Sequence, residues 1–216
     1  MNKQLTKEIL SNCTIYKEIS KIYIPVLSTI CFEYLFDVSD LSLINAIDMN
    51  DIHLLKYLIS KNIGLGKMHK IQLTHKHNWT ALMHAAIFGQ DKCVEILAKT
   101  KELGMKGEYG YNALMYAARY GRYKCVKILA KTKELGIKNK YGYTALMYAA
   151  NGGYDKCVEI LAKSKELGLK NDIGNTALIC AAKYGYDKCV KILAKTKELG
   201  MKDDMKYTAL MYAKRD

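Results

Sequence analysis

The 216-residue sequence predicts an all-α fold, a solenoid of stacked helix-turn-helix units with short finger loops between them. Three observations predict it. The first is a period: Ala-Leu starts at Ala81, Ala113, Ala145, Ala177 and Ala209, each 32 residues after the last. Cys-Val recurs at Cys93, Cys125, Cys157 and Cys189, and Lys-Glu-Leu-Gly from Lys101, Lys133, Lys165 and Lys197, at the same step. A unit this short buries its apolar faces only against its neighbours. The second is the single proline, Pro25, which suits helices better than a turn-rich sheet protein. The third is composition: 50% hydrophobic and 25% charged residues describe a chain that builds a core rather than a disordered polymer.

The elements follow in order. Residues 1–37 are expected to form a helical N-terminal cap. Residues 38–65 read as a divergent repeat: Leu43, Ala46 and Ile47 fall where Leu82, Ala85 and Ala86 do, Asn50 replaces Gly89, and Leu54, Leu55 and Leu58 match Cys93, Val94 and Leu97. Residues 66–77 form a polar linker, 78–203 hold four regular units, and 204–216 make a half-repeat. In a regular unit, Thr144 is placed to cap a first helix over Ala145–Asn151, with Leu146, Ala149 and Ala150 on one face. Gly152-Gly153 breaks that helix. Asp155 opens a second one carrying Val158, Leu161 and Ala162, which Gly168 is expected to end in a left-handed conformation.

These units resemble ankyrin repeats. The family pattern Thr-Pro-Leu-His-x-Ala-Ala, then Gly, Val and Leu, is matched by Thr144, Leu146, Ala149, Ala150, Gly153, Val158 and Leu161, and the match recurs over Asn78–Gly200. The motif proline is Ala in every unit, the motif histidine is Met83, Met115, Met147, Ile179 or Met211, and the step is one short of the usual 33 or so. The short link from Gly168 to Gly174 predicts stubby fingers, leaving the first-helix face as the main presented surface. The resemblance implies a non-catalytic adaptor or scaffold that binds a protein on its concave face. It places the binding residues before the capping position and after the Ala-Ala pair: Trp79, Phe88, Tyr111, Arg119, Tyr120, Tyr143, Asn151, Lys183 and Tyr184. Tyr, Trp and Arg are the side chains that dominate interface energetics. The simpler account is that the tyrosines pack between units.

The charge is +13, from 34 Lys and Arg against 21 Asp and Glu, which favours an acidic partner. Lysines form ladders at Lys92, Lys124, Lys156 and Lys188, at Lys99, Lys131, Lys163 and Lys195, and at Lys101, Lys133, Lys165 and Lys197. They are expected to be a solvated face neutralised by Glu102, Glu134, Glu166 and Glu198. The alternative is docking to an anionic polymer or membrane surface. Nucleic acid is not expected, since no reader motif is present. Pro25 through Leu41 loosely resembles an F-box, which would imply a ubiquitin-ligase adaptor.

The conspicuous residues are duplicated in every unit, whereas a catalytic site is unique, so no enzyme activity and no cofactor are expected. The cysteine ladder has neither disulfide nor metal-ligand spacing and reads as buried thiols. His69, His75 and His77 crowd the linker and His84 follows; they read as solvated loop histidines rather than metal ligands. With no secretory start and no apolar run long enough to span a bilayer, the expectation is a cytoplasmic monomer with reduced thiols.

Overall fold

The computed structural model describes residues 43–67, 69–70 and 78–214. The expected cap at 1–37, the F-box-like segment, and His75 and His77 of the linker lie outside the described residues. The chain runs α1 (Leu43–Asp48), α2 (Ile52–Ser60), β1 (His69–Lys70), β2 (Asn78–Trp79), α3 (Ala81–Phe88), α4 (Asp91–Leu97), α5 (Ala113–Arg119), α6 (Tyr123–Leu129), α7 (Ala145–Asn151), α8 (Asp155–Leu161), α9 (Ala177–Lys183), α10 (Asp187–Leu193) and α11 (Ala209–Ala213). First helices α3, α5, α7, α9 and α11 stack on one another, and second helices α4, α6, α8 and α10 form a layer over them. β1 pairs antiparallel with β2 through His69–Trp79 and Lys70–Asn78, and a lone bridge joins Lys202 to Thr208.

The first helices begin where a side chain satisfies a free amide of the first turn. Thr144 accepts from the Met147 amide at 3.4 Å, Asn112 from Met115 at 2.9 Å, and Thr80, Thr176 and Thr208 do the same in their units. The paired alanines of these helices are buried, and removing side-chain bulk there lets neighbouring helices approach closely. The divergent repeat takes part in the same core: Leu43, Ala46, Ile47, Leu54, Leu55 and Leu58 are all buried. Asn50 adopts a positive φ of 52°, close to the 77° of Gly89, the residue it aligns with. Asparagine is among the few non-glycine residues that tolerate this conformation.

Two expectations need correction. The second helices end at Leu97, Leu129, Leu161 and Leu193, not at the tail glycines. A hydroxyl competes for the last turn: Thr100, Thr132 and Thr196 each donate to the carbonyl three residues back, at 2.6–2.7 Å, and accept from the amide two residues on at 3.3 Å. Gly168 is left-handed at φ 82°, but it closes this separate tail rather than the helix.

The second correction concerns the glutamates. Glu102, Glu134, Glu166 and Glu198 are each only 1% exposed and do not lie among the surface lysines. Each carboxylate spans two units. Glu134 accepts from the Leu114 amide in the first turn of its own α5 at 2.8 Å, and from the Gly104 amide of the preceding tail at 3.0 Å. Glu102 takes Leu82 and Gly66, Glu166 takes Leu146 and Gly136, and Glu198 takes Leu178 and Gly168, all at 2.7–2.8 Å. A negative group at a helix N-terminus is stabilised by the unpaired amides there. Burial pushes the carboxyls of Glu102, Glu134 and Glu166 above their ordinary range, while the amide bonds pull the other way.

The ladder cysteines Cys93, Cys125, Cys157 and Cys189 and the additional Cys180 are free and buried. Burial pushes the thiols of Cys125, Cys157 and Cys180 up to about 12, and those of Cys93 and Cys189 up to about 11.

Candidate partner-binding face

The aromatic residues sort into a buried ladder and an exposed rim. The ladder begins at Trp79, whose Nε1 donates to the Tyr116 hydroxyl at 3.0 Å, with the rings edge-to-face. Tyr116 stacks on Tyr111 at 5.2 Å, Tyr111 meets Tyr148 at 5.2 Å, and Tyr148 stacks on Tyr143 at 5.2 Å. Hydroxyls join the rings across units: Tyr148 donates to Tyr111 at 2.6 Å and accepts from Asn139 Nδ2 at 2.8 Å. Burial pushes the Tyr116 hydroxyl up to about 12 and the Tyr148 hydroxyl higher still. Trp79 at 5% exposure and Tyr111 at 8% are thus held inside this ladder, and Tyr143 is half-buried.

Cations close over it. Arg119 Nη1 donates to the Tyr111 hydroxyl at 3.0 Å, and its guanidinium lies 5.7 Å from the Tyr111 ring and 5.9 Å from that of Tyr148. In the next unit Asn175 and Cys180 stand where tyrosines would continue the stack. Lys183 occupies this break, donating to Asn175 Oδ1 at 3.1 Å and lying 4.4 Å from the Tyr212 ring and 4.0 Å from Asp203. Burial works against the Asp203 charge. The Tyr212 hydroxyl at 2.6 Å, the Tyr207 amide at 2.9 Å and Lys183 outweigh it and hold this carboxyl below its usual range.

At the C-terminal ends of the first helices, rings turn outward. Phe88 is 53% exposed, Tyr120 41% and Tyr184 60%, all at one position of their units, with Gly152 leaving a gap between the last two. Asn151, half-buried, ends α7 beside that gap. Phe88 rests on His84 at 4.5 Å. His84 is not a solvated loop histidine. It lies in α3, only 3% exposed, with Nε2 2.6 Å from Asp48 Oδ1, and ties the divergent repeat to the first regular unit.

A family model described as ankyrin repeats in three copies matches residues 43–139, 100–171, 131–203 and 163–216. The chain belongs to the ankyrin-repeat family. A crystal structure of the ankyrin repeat protein EF0377 is similar over 83% of this chain and 92% of its own, with 23% identity and a TM-score of 0.65. No curated protein matches the chain. Ankyrin repeats are in general protein-interaction modules and the family is typically non-enzymatic. Among the described residues no group of three or more His, Cys, Asp or Glu side chains could hold a metal ion, and no helix is long and apolar enough to cross a membrane.

The sequence reading missed two parts of this ankyrin surface. Tyr116 and Tyr148 supply two of the five ladder rings, Tyr212 stands at the same repeat position beyond the break, and their spacing at multiples of the repeat step could have marked them. The fingertips present Tyr109, Tyr141, Ile173 and Met205, all exposed, with Tyr109 stacked on Tyr141 at 5.9 Å. Successive fingers are joined by backbone bonds: the Lys140 amide donates to the Tyr109 carbonyl at 2.8 Å and the Asp172 amide to that of Tyr141 at 3.3 Å. Fingers too short to form a ladder of strands still carry side chains outward.

Proposed function

We propose that this chain is a non-catalytic adaptor or scaffold that captures a protein partner on its first-helix face. The supporting observation is the row of exposed rings at Phe88, Tyr120 and Tyr184, set beside a buried framework that repeats nearly unchanged. Large apolar rings held on rigid helices bind with little loss of side-chain freedom and are the usual anchors of interfaces. Arg119, Asn151 and Lys183 vary between units at the adjoining position and supply polar selectivity. Trp79, Tyr111 and Tyr143 act from beneath, fixing the height of Arg119 and the rigidity of the face. Five buried free thiols favour a reducing, cytoplasmic setting, where the chain works as a monomer.

The test is an unbiased pull-down with the intact chain, repeated with Tyr120→Ala plus Tyr184→Ala. An aromatic anchor lost from an interface costs about 2 kcal/mol or more, roughly 30-fold in affinity. The double variant is expected to lose the principal partner while its circular-dichroism spectrum stays helical. Changing Lys131, Lys163 and Lys195 to Gln should lose far less and act on the association rate. Retention of every partner by the folded tyrosine variant would refute the assignment.

A further inference from the structure

The stack covers every first helix but α11. Leu82, Leu114, Leu146 and Leu178, which open the first helices of the regular units, are 0–1% exposed, and the methionine or isoleucine after each is as well covered. Their counterparts on α11, Leu210 and Met211, are 63% and 48% exposed, and no second helix follows α11 among the described residues. The uncovered surface continues onto α10. Val190 is half-buried where Val94, Val126 and Val158 are fully buried, and Leu199 of the tail is exposed. Two glycines mark its ends. A Cβ added at Gly121 or Gly153 would meet Tyr154 or Tyr186, which precede the next second helix, and one added at Gly136 or Gly168 would meet the stem of Lys165 or Lys197 in the next tail. At Gly185 and Gly200 it would meet nothing within 4 Å. The Gly200 and Leu210 amides stand where their counterparts in the four earlier units share one glutamate carboxylate, and neither meets an acceptor among the described residues.

We infer that this end of the stack is a second docking surface, which takes one amphipathic helix from a protein partner. That helix carries a valine and a leucine three residues apart on its inner face and a glutamate five residues after the leucine. The molecule itself defines the occupant. Val94, Leu97 and Glu102 have this spacing, as do Val126, Leu129 and Glu134, and each helix packs on the first helix of its unit while its glutamate takes the two amides. The surface at α10 and α11 repeats the one those helices cover. A lipid bilayer would cover Leu210 and Met211 but bring no acceptor to the two amides. A second copy has no spare helix of this kind. Among the described residues, the four that carry the glutamate are packed in their own stack, and α2 has Ile63 at the glutamate position. The inference adds a surface to the proposed function and does not depend on it.

The probe is a fluorescein-labelled peptide with the sequence of residues 154–168, titrated against the intact chain by fluorescence anisotropy. Its three lysines balance its three carboxylates, so the net charge of the chain does little to hold it. The control is a scrambled peptide of the same composition and label. The native-order peptide should bind one to one and the scrambled one at least tenfold more weakly. Glu166→Ala in the peptide removes the acceptor of both amides and should weaken binding about tenfold. Leu210→Lys in the chain changes an already exposed side chain, so its circular-dichroism spectrum should stay helical while binding falls about tenfold or more. Tyr120→Ala should leave binding unchanged. In nuclear magnetic resonance spectra the Gly200 and Leu210 amide signals should move on binding and become protected from exchange. Equal binding of the two peptides, indifference to Glu166→Ala or to Leu210→Lys, or unmoved Gly200 and Leu210 signals would overturn the inference. So would self-association of the chain in sedimentation equilibrium, or its capture by phosphatidylcholine vesicles, that Leu210→Lys abolishes. If the peptide fails to bind while Tyr120→Ala with Tyr184→Ala still abolishes partner capture, the end-face inference falls and the concave-face function stands.

Discussion

Replacing Glu134 by Ala tests how consecutive units are held together. The wild-type carboxylate accepts two backbone amides, Leu114 at 2.8 Å and Gly104 at 3.0 Å, and both belong to parts of the chain that no side chain of Ala could reach. The Leu114 amide is one of the free donors of the α5 first turn and is shut away from water, so it goes unpaired in the variant. A buried donor left without an acceptor costs about 1–3 kcal/mol. Two such donors, less the relief of no longer burying a charge, put the loss at about 3 kcal/mol. Gln keeps one acceptor and turns its amide group against the other N–H, so Glu134→Gln should lose about half as much. Lys133→Ala, one residue away on the surface, should change stability by under about 0.5 kcal/mol. Urea unfolding followed by circular dichroism at neutral pH measures all three. If Glu134→Ala unfolds within about 0.5 kcal/mol of wild type, the carboxylate does not join the units and the reasoning fails.

The thiols make the fold sensitive to alkali. Their folded pKa values of about 11–12 lie above the ordinary 9.0, so their contribution is complete below pH 9 and is lost as pH rises through the folded values. At pH 10 the unfolded state gains about 1.4 kcal/mol per thiol, enough over five thiols to unfold a typical domain. Urea midpoints between pH 7 and 10.5 check this, and a flat profile would contradict it. A thiol reagent should label Cys125 and Cys157 only at the rate of unfolding. Tyr148→Phe keeps the ring stack but removes the bonds to Tyr111 and Asn139, so thermal unfolding should show a loss of about 1–2 kcal/mol, against about 3–5 for Tyr148→Ala. At Gly142, φ 72°, an added Cβ would meet the Asp172 amide nitrogen at 2.7 Å and Asn171 Cα at 2.9 Å, whereas at Gly185, φ 66°, it meets nothing. Gly142→Ala should therefore destabilise by clearly more than the about 1 kcal/mol of backbone strain expected for Gly185→Ala, again read by urea unfolding.

Local signals were legible in the sequence and distant partners were not. The α7 helix and its Thr144 cap follow from residues within a single turn of one another. The end of α8 was misjudged because a tail of lysine, glutamate and leucine favours helix, and the Ser and Thr back-bonds that divert it are weak signals. Glu102 reads as a surface neutraliser because the amides that bury it, Leu82 and Gly66, lie 20 and 36 residues away. His84 reads as a loop residue because Asp48 is equally far, 36 residues back. The candidate face was half legible. Variation between units picked out Tyr120 and Tyr111 alike, yet only the stacking geometry makes the first a rim residue and the second part of the ladder.

The placement of the glutamates changes what the charge of this molecule means. In sequence, Lys-Glu pairs along the tails read as a balanced, inert surface. In the fold the carboxylate goes inward to hold one unit to the next, while the exposed ammonium of Lys101, Lys133 or Lys165 still favours the charge of the glutamate beside it. The glutamate of each dipeptide thus serves cohesion, which repeats with each unit because it is a property of stacking. In the proposed function, specificity falls to positions that stacking does not constrain, the exposed rim at Phe88, Tyr120 and Tyr184 and the neighbouring Arg119, Asn151 and Lys183. A change at the rim should alter which partner is held while unfolding stays the same, and a change at Glu134 should alter unfolding at every unit it touches while the rim residues remain those the partner meets.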